Sequence, residues 1–147
     1  MEKKIIDFIK SLKSDQRITS FDEASTKQAI VIRILSSLGW DIFNVDEVKP
    51  DLNVGSHQVD YALRVNKANK VFINVKKVNE ELNGHQKELL GCAVKEGVEL
   101  SILTNGITWW FYLSLSKDPP EQRRFYSLDL LKQNPVSYTH LRAHETG

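Results

Sequence analysis

An α/β (α+β) fold with a central mixed β-sheet flanked by helices is predicted by three features of the sequence. Two segments before residue 39 carry apolar residues at helical spacing. Two runs between Val59 and Lys76 alternate at the period of a strand, and a later helix precedes a strand pair joined at Asn105-Gly106. The order helix, helix, three strands, helix, two strands puts the sheet at the centre.

Each element has its own signal. Ile5, Ile6, Phe8, Ile9 and Leu12 form the apolar set of a helix from Lys3 to about Leu12. A second helix starts near Phe21-Asp22-Glu23, with Ser20 or Asp22 as N-cap. It presents Ala29, Ile30, Ile32, Ile34, Leu35 and Leu38 and stops at Gly39. Trp40 to Val45 is expected as a short strand or edge segment, and Pro50, Asn53 and Gly55 as loop. In the next run Val59, Tyr61, Leu63 and Val65 share one face, and Asp60, Ala62 and Arg64 the other. After the turn NKAN, Val71, Ile73 and Val75 share one face, and Phe72, Asn74 and Lys76 the opposite one. Leu82 to about Glu96 is a helix with Leu89, Leu90, Ala93 and Val94 inward, ended by Gly97. Two strands follow, Leu100 to Leu103 and Thr108 to Leu115, joined by the tight-hairpin signal Asn105-Gly106.

The 147 residues, 41% hydrophobic and 27% charged, suit one domain with a core of ordinary size. A net charge of +1 exerts no global pull on nucleic acid or anionic membrane, so any DNA contact must come from a local basic surface. The single cysteine, Cys92, rules out an intramolecular disulfide and a Cys-rich zinc site. With no signal-peptide core in MEKKIIDFIKSLK and no apolar run near the ~20 residues a bilayer needs, a cytoplasmic setting without a membrane partner is expected. From about Val136 to Gly147, VSYTHLRAHETG has neither periodicity. It resembles the conceptual translation of sequencing-adapter DNA, so residues 136–147 are expected to be a non-native disordered tail and residues 1–135 the domain. This removes His140 and His144 as a helical metal pair.

The alternation brings Asp60 and the pair Asn74/Lys76 to neighbouring strands, an aspartate and a lysine spaced as in a metal-dependent nuclease. Several stretches extend the match: TKQAIVIRILSSLGWDIFNVDEVKPD, VDYAL, VFINVKK, GVELSILTNGITWWFYL and RRFYSLDLL. From about Phe21 to Leu131 the chain resembles the N-terminal nuclease domain of type I restriction enzyme R subunits, a branch of the PD-(D/E)xK restriction-endonuclease-like superfamily.

The resemblance implies a restriction-endonuclease-like fold and a DNA endonuclease activity using Mg²⁺ or Mn²⁺. Asp60 is implied as a metal ligand, Lys76 as the catalytic lysine that orients the attacking water, and Glu23 as a further ligand. It also implies double-stranded DNA as partner, with other restriction-modification subunits or a helicase motor beside it. Two positions depart from the family pattern. Asn74 stands where the second metal-binding acid belongs, and an amide oxygen brings no negative charge, so metal binding is weakened. Glu88 and Cys92 stand where many relatives carry a glutamine and, four residues later, a tyrosine. A carboxylate at 88 either replaces some of the missing charge or repels DNA phosphate. The alternative to a cutting enzyme is therefore a catalytically inactive nuclease-fold module that binds DNA or docks in a restriction complex.

Plainer roles stand beside these. Half-exposed strands alternate apolar and polar residues, so Asp60 also reads as a solvated strand residue. Lys77 points away from Lys76, His57 and His85 have no metal-spaced partner, and Cys92 on an apolar helix reads as core. One of Trp109 and Trp110 packs inward. Arg123-Arg124 is a candidate DNA-phosphate contact or a solvated pair. No Gly-rich phosphate loop is present, so ATP chemistry within this chain is not expected.

Overall fold

The computed structural model describes residues 2–132, so the tail at 136–147 and the His140/His144 pair lie outside the described residues. The helices are α1 (Glu2–Ser14), α2 (Glu23–Thr26), α3 (Ile32–Ser37), α4 (Gln86–Glu96) and α5 (Pro120–Arg123). The strands are β1 (Val48–Val54), β2 (His57–Val65), β3 (Ala68–Val75), β4 (Leu100–Thr104), β5 (Thr108–Leu113) and β6 (Arg124–Asp129). The six strands make one mixed sheet in chain order. Only β3 and β4 are parallel, and α4 supplies the crossover that a parallel pair requires.

A core lies on each face of the sheet. On one, Phe8, Ile9 and Leu12 of α1 and Ile34 and Leu35 of α3 pack on Tyr61, Leu63, Ile73 and Val75. On the other, Leu89, Leu90, Cys92 and Ala93 of α4 pack on Val59, Ala62, Phe72 and Tyr112. Val94, expected inward, is half-exposed, and Cys92 takes the buried position. The expected alternation of β2 also slips at Asp60. Val59 belongs to the α4 core, whereas Tyr61 and Leu63 belong to the α1/α3 core.

The second helix is capped as read, with the Asp22 carboxylate accepting from Ser25 N at 2.7 Å. Inside it, Lys27–Val31 widens into a π turn, a local irregularity common at functional positions. Trp40 to Val45 is not a strand. Asp41 Oδ1 accepts from Phe43 N and Asn44 Oδ1 from Asp46 N, so Asx turns take over this β-rich stretch. The first strand instead runs through VKPDLNV, with Pro50 tolerated because β1 is an edge strand.

In the β4–β5 turn Asn105 Oδ1 accepts from Ile107 N and Thr108 N. Gly106, at φ +90°, packs so closely that an added Cβ would meet Thr26 Cγ2 at 2.8 Å and Ile30 Cδ1 at 2.9 Å. That contact fixes the helix bearing Lys27 against the sheet. Among the described residues no helix is long and apolar enough to cross a membrane.

Candidate functional site

Asp60 and Asn74 meet across the β2–β3 hairpin, with the direct ladder ending at Tyr61↔Ile73. Beyond it, side chains bridge the strands in both directions. Asp60 N donates to Asn74 Oδ1 at 3.1 Å, and Val75 N donates to Asp60 Oδ2 at 2.6 Å. Asn74 is buried, so each of these bonds satisfies a group that would otherwise be costly to desolvate.

The other carboxylate oxygen is also taken. Lys27 Nζ lies 2.8 Å from Asp60 Oδ1 and 3.6 Å from Glu23 Oε2, the latter an i,i+4 pair on the same helical segment. Burial works against the charged form of Lys27. The hydrogen bond and charge of Asp60, with Glu23 adding to them, prevail and hold its ammonium above the usual lysine range. Lys27 was not singled out from the sequence, because nothing in TKQAIVIRI marks one lysine as inward-pointing. The available signal was its i+4 spacing from Glu23.

Asp60, Asn74 and Glu23 are thus brought together around Lys27. Lys76 lies just past the end of β3; its backbone N–H continues the ladder to Thr104 O at 2.8 Å. Its side chain is half-buried and has no ion pair among the described residues. Glu88 sits on α4, which covers the opposite face of the sheet from Lys27, and pairs with His57 Nδ1 at 3.1 Å. His85 pairs with Glu80.

The two arginines are engaged within the chain. Arg123 donates to Asp118 O at 2.7 Å and Ser114 O at 3.3 Å, closing the loop after β5. Arg124 lies over the Trp110 ring at 4.1 Å, while Trp109 is buried and donates to Gly106 O. A glutamine does serve α4, at Gln86 rather than at position 88. Buried against the sheet, it accepts the Tyr112 hydroxyl at 2.6 Å. Burial pushes the Tyr112 phenol well above its ordinary range.

A divalent cation of the Mg²⁺ class needs several hard oxygen ligands with negative charge among them. Here the two Asp60 oxygens hold an ammonium and a backbone N–H, and the Asn74 oxygen holds another N–H. Among the described residues no group of three or more His, Cys, Asp or Glu is placed to hold a metal ion. The donor set does not fit Mg²⁺ or Mn²⁺. A lysine ammonium already neutralises the carboxylate a metal would use. Comparison with family models, curated proteins and solved structures finds no significant match.

Proposed function

We propose that this chain is a DNA-handling module on the restriction-endonuclease-like plan of type I R subunits, in which the cleavage centre has become a structural lock. The observation that carries the reading is the Lys27–Asp60 ion pair at 2.8 Å, reinforced by the Asn74 amide that occupies the position of a second acid. The family is proposed from the sequence likeness alone, and the mixed sheet with helices on both faces is compatible with it. A divalent cation held by Asp60 would polarise the scissile phosphate and Lys76 would orient the attacking water, but the Lys27 ammonium already engages the Asp60 oxygen such a cation would need. The module contributes to duplex DNA binding or to a restriction-type assembly.

The second reading is a Mg²⁺-dependent endodeoxyribonuclease of reduced activity. It is favoured by Lys76, whose side chain has no carboxylate partner among the described residues. One experiment separates the two. Supercoiled plasmid is incubated with the protein and Mg²⁺ or Mn²⁺, and retention of duplex DNA is measured at low salt in parallel. Retention without nicking supports the module. Nicking that disappears with Lys76→Ala supports the enzyme, and failure to retain duplex at any salt removes DNA as its ligand.

A further inference from the structure

On the face of the sheet away from Lys27, the hairpin turn between β1 and β2 and one ridge of α4 enclose a shallow cleft of ≈ 160 Å³. Its chemistry is set by Lys87, Gly91 and Lys95, which follow at i, i+4 and i+8 and so share one helical ridge. Ser56 and His57 face them from the turn.

Three observations point to an anion. Neither lysine has an ion pair among the described residues, whereas the one carboxylate in the cleft, Glu88, has an oxygen 3.1 Å from His57 Nδ1. The Lys95 ammonium is folded over the turn at Gly55, where an added Cβ would meet Nζ at 2.7 Å. This exposed side chain therefore bends toward the turn that lines the cleft. Gly91 is the third. Glycine weakens a helix interior, yet a Cβ at 91 would meet nothing within 4 Å, so packing does not require it. What it provides is an open floor between two cations.

We propose that this cleft is a phosphate-binding site in which Lys87 and Lys95 grip the oxyanion and Gly91 admits it to the helix surface. The Ser56 hydroxyl is the neutral donor that faces it. The phosphate is either a backbone phosphate of duplex DNA, which rests on the functional reading above, or the phosphate of a small molecule, which does not. The shared chemistry is a phosphate dianion or diester held by two ammonium groups, and it takes no covalent step.

The test uses the full chain and three probes: inorganic phosphate followed in amide NMR spectra, and a short duplex followed by fluorescence anisotropy across a salt series. The third is the thermal melt of each variant, to confirm folding. Phosphate is expected to shift the amides of Gly55, Ser56, His57 and Gly91. The double variant Lys87→Gln/Lys95→Gln is expected to bind duplex at least roughly tenfold more weakly, with the log–log salt slope reduced by about 2. Gly91→Leu decides between the cleft and diffuse surface charge, because it keeps every charge and fills the floor. Loss of phosphate or duplex binding in Gly91→Leu supports the site; binding equal to the parent for both ligands overturns it. Phosphate shifts in a parent that holds no duplex keep the site, assign it to a small molecule and remove the DNA reading. A parent that holds duplex through unaltered affinity in all variants keeps the DNA reading and removes this cleft.

Discussion

The two faces of the sheet use charge in opposite ways. Around Lys27, the side-chain oxygens that face it are engaged by other parts of the chain: Asp60 by Lys27 and Val75 N, Asn74 Oδ1 by Asp60 N, Glu23 by Lys27. In the cleft beside α4, Lys87 and Lys95 have no ionic partner among the described residues, and the ridge between them is glycine. Saturated groups hold a fold together, since removing one strands its partners in a low-dielectric setting. Unpartnered cations contribute little to stability and are free for a ligand. Asp60 and Asn74, two of the residues that look catalytic in the sequence, are therefore on the structural side of this comparison.

The largest expected effect is at Asp60. Asp60→Ala strands the Lys27 ammonium and the Val75 N–H together, and a loss of about 2–4 kcal/mol in denaturant unfolding is expected. A loss below ~0.5 kcal/mol, the level of an ordinary surface change, would show that the Lys27–Asp60 pair does not hold the fold together. Asn74→Ala removes one acceptor from Asp60 N and is expected to cost about 1–3 kcal/mol by the same assay. On the α4 face, Tyr112→Phe leaves the buried Gln86 oxygen without its donor. A cost of roughly 1–2 kcal/mol is expected, and it marks Gln86 as the helix's structural polar residue.

Lys27 is raised because Asp60 and Glu23 outweigh burial, Tyr61 because burial outweighs the Lys27 charge, and Tyr112 because of burial. In all three the folded state keeps a proton that the unfolded chain releases. Their contributions are therefore complete at neutral pH and are lost as pH rises beyond about 10. Lys27→Met removes its own share while the buried phenols keep theirs, so its alkaline decline should be shallower but present; an identical decline in both proteins contradicts the assignment. The smallest effect is in the cleft. Lys87→Gln/Lys95→Gln should move stability by no more than about 0.5 kcal/mol while changing ligand binding, the reverse of Asp60→Ala.

Much of the frame was legible because it rests on local signals. The Asp22 cap, the ends at Gly39 and Gly97, the alternating run of β3 and the Asn105 turn all act within a few residues. The edge strands were not. VKPDLNV carries a proline and charges that central strands avoid, and β6 follows two prolines and two arginines, so each shows as a strand only through its pairing partner. Trp40 to Val45 had strand-like composition but lost to side-chain acceptors two residues away. At the site, the meeting of Asp60 with Asn74 follows from hairpin register. The arrival of Lys27 depends on how a helix some thirty residues upstream docks, which no local pattern encodes.

In the proposed module an ammonium, and not a divalent cation, is the resident charge at Asp60. Thermal unfolding of the parent and of Asp60→Asn, each titrated with Mn²⁺, tests it directly, since a metal bound by the folded state alone must raise the melting temperature. No Mn²⁺-dependent rise that separates the two proteins is expected. A rise in the parent that Asp60→Asn abolishes would contradict it and restore Asp60 as a metal ligand.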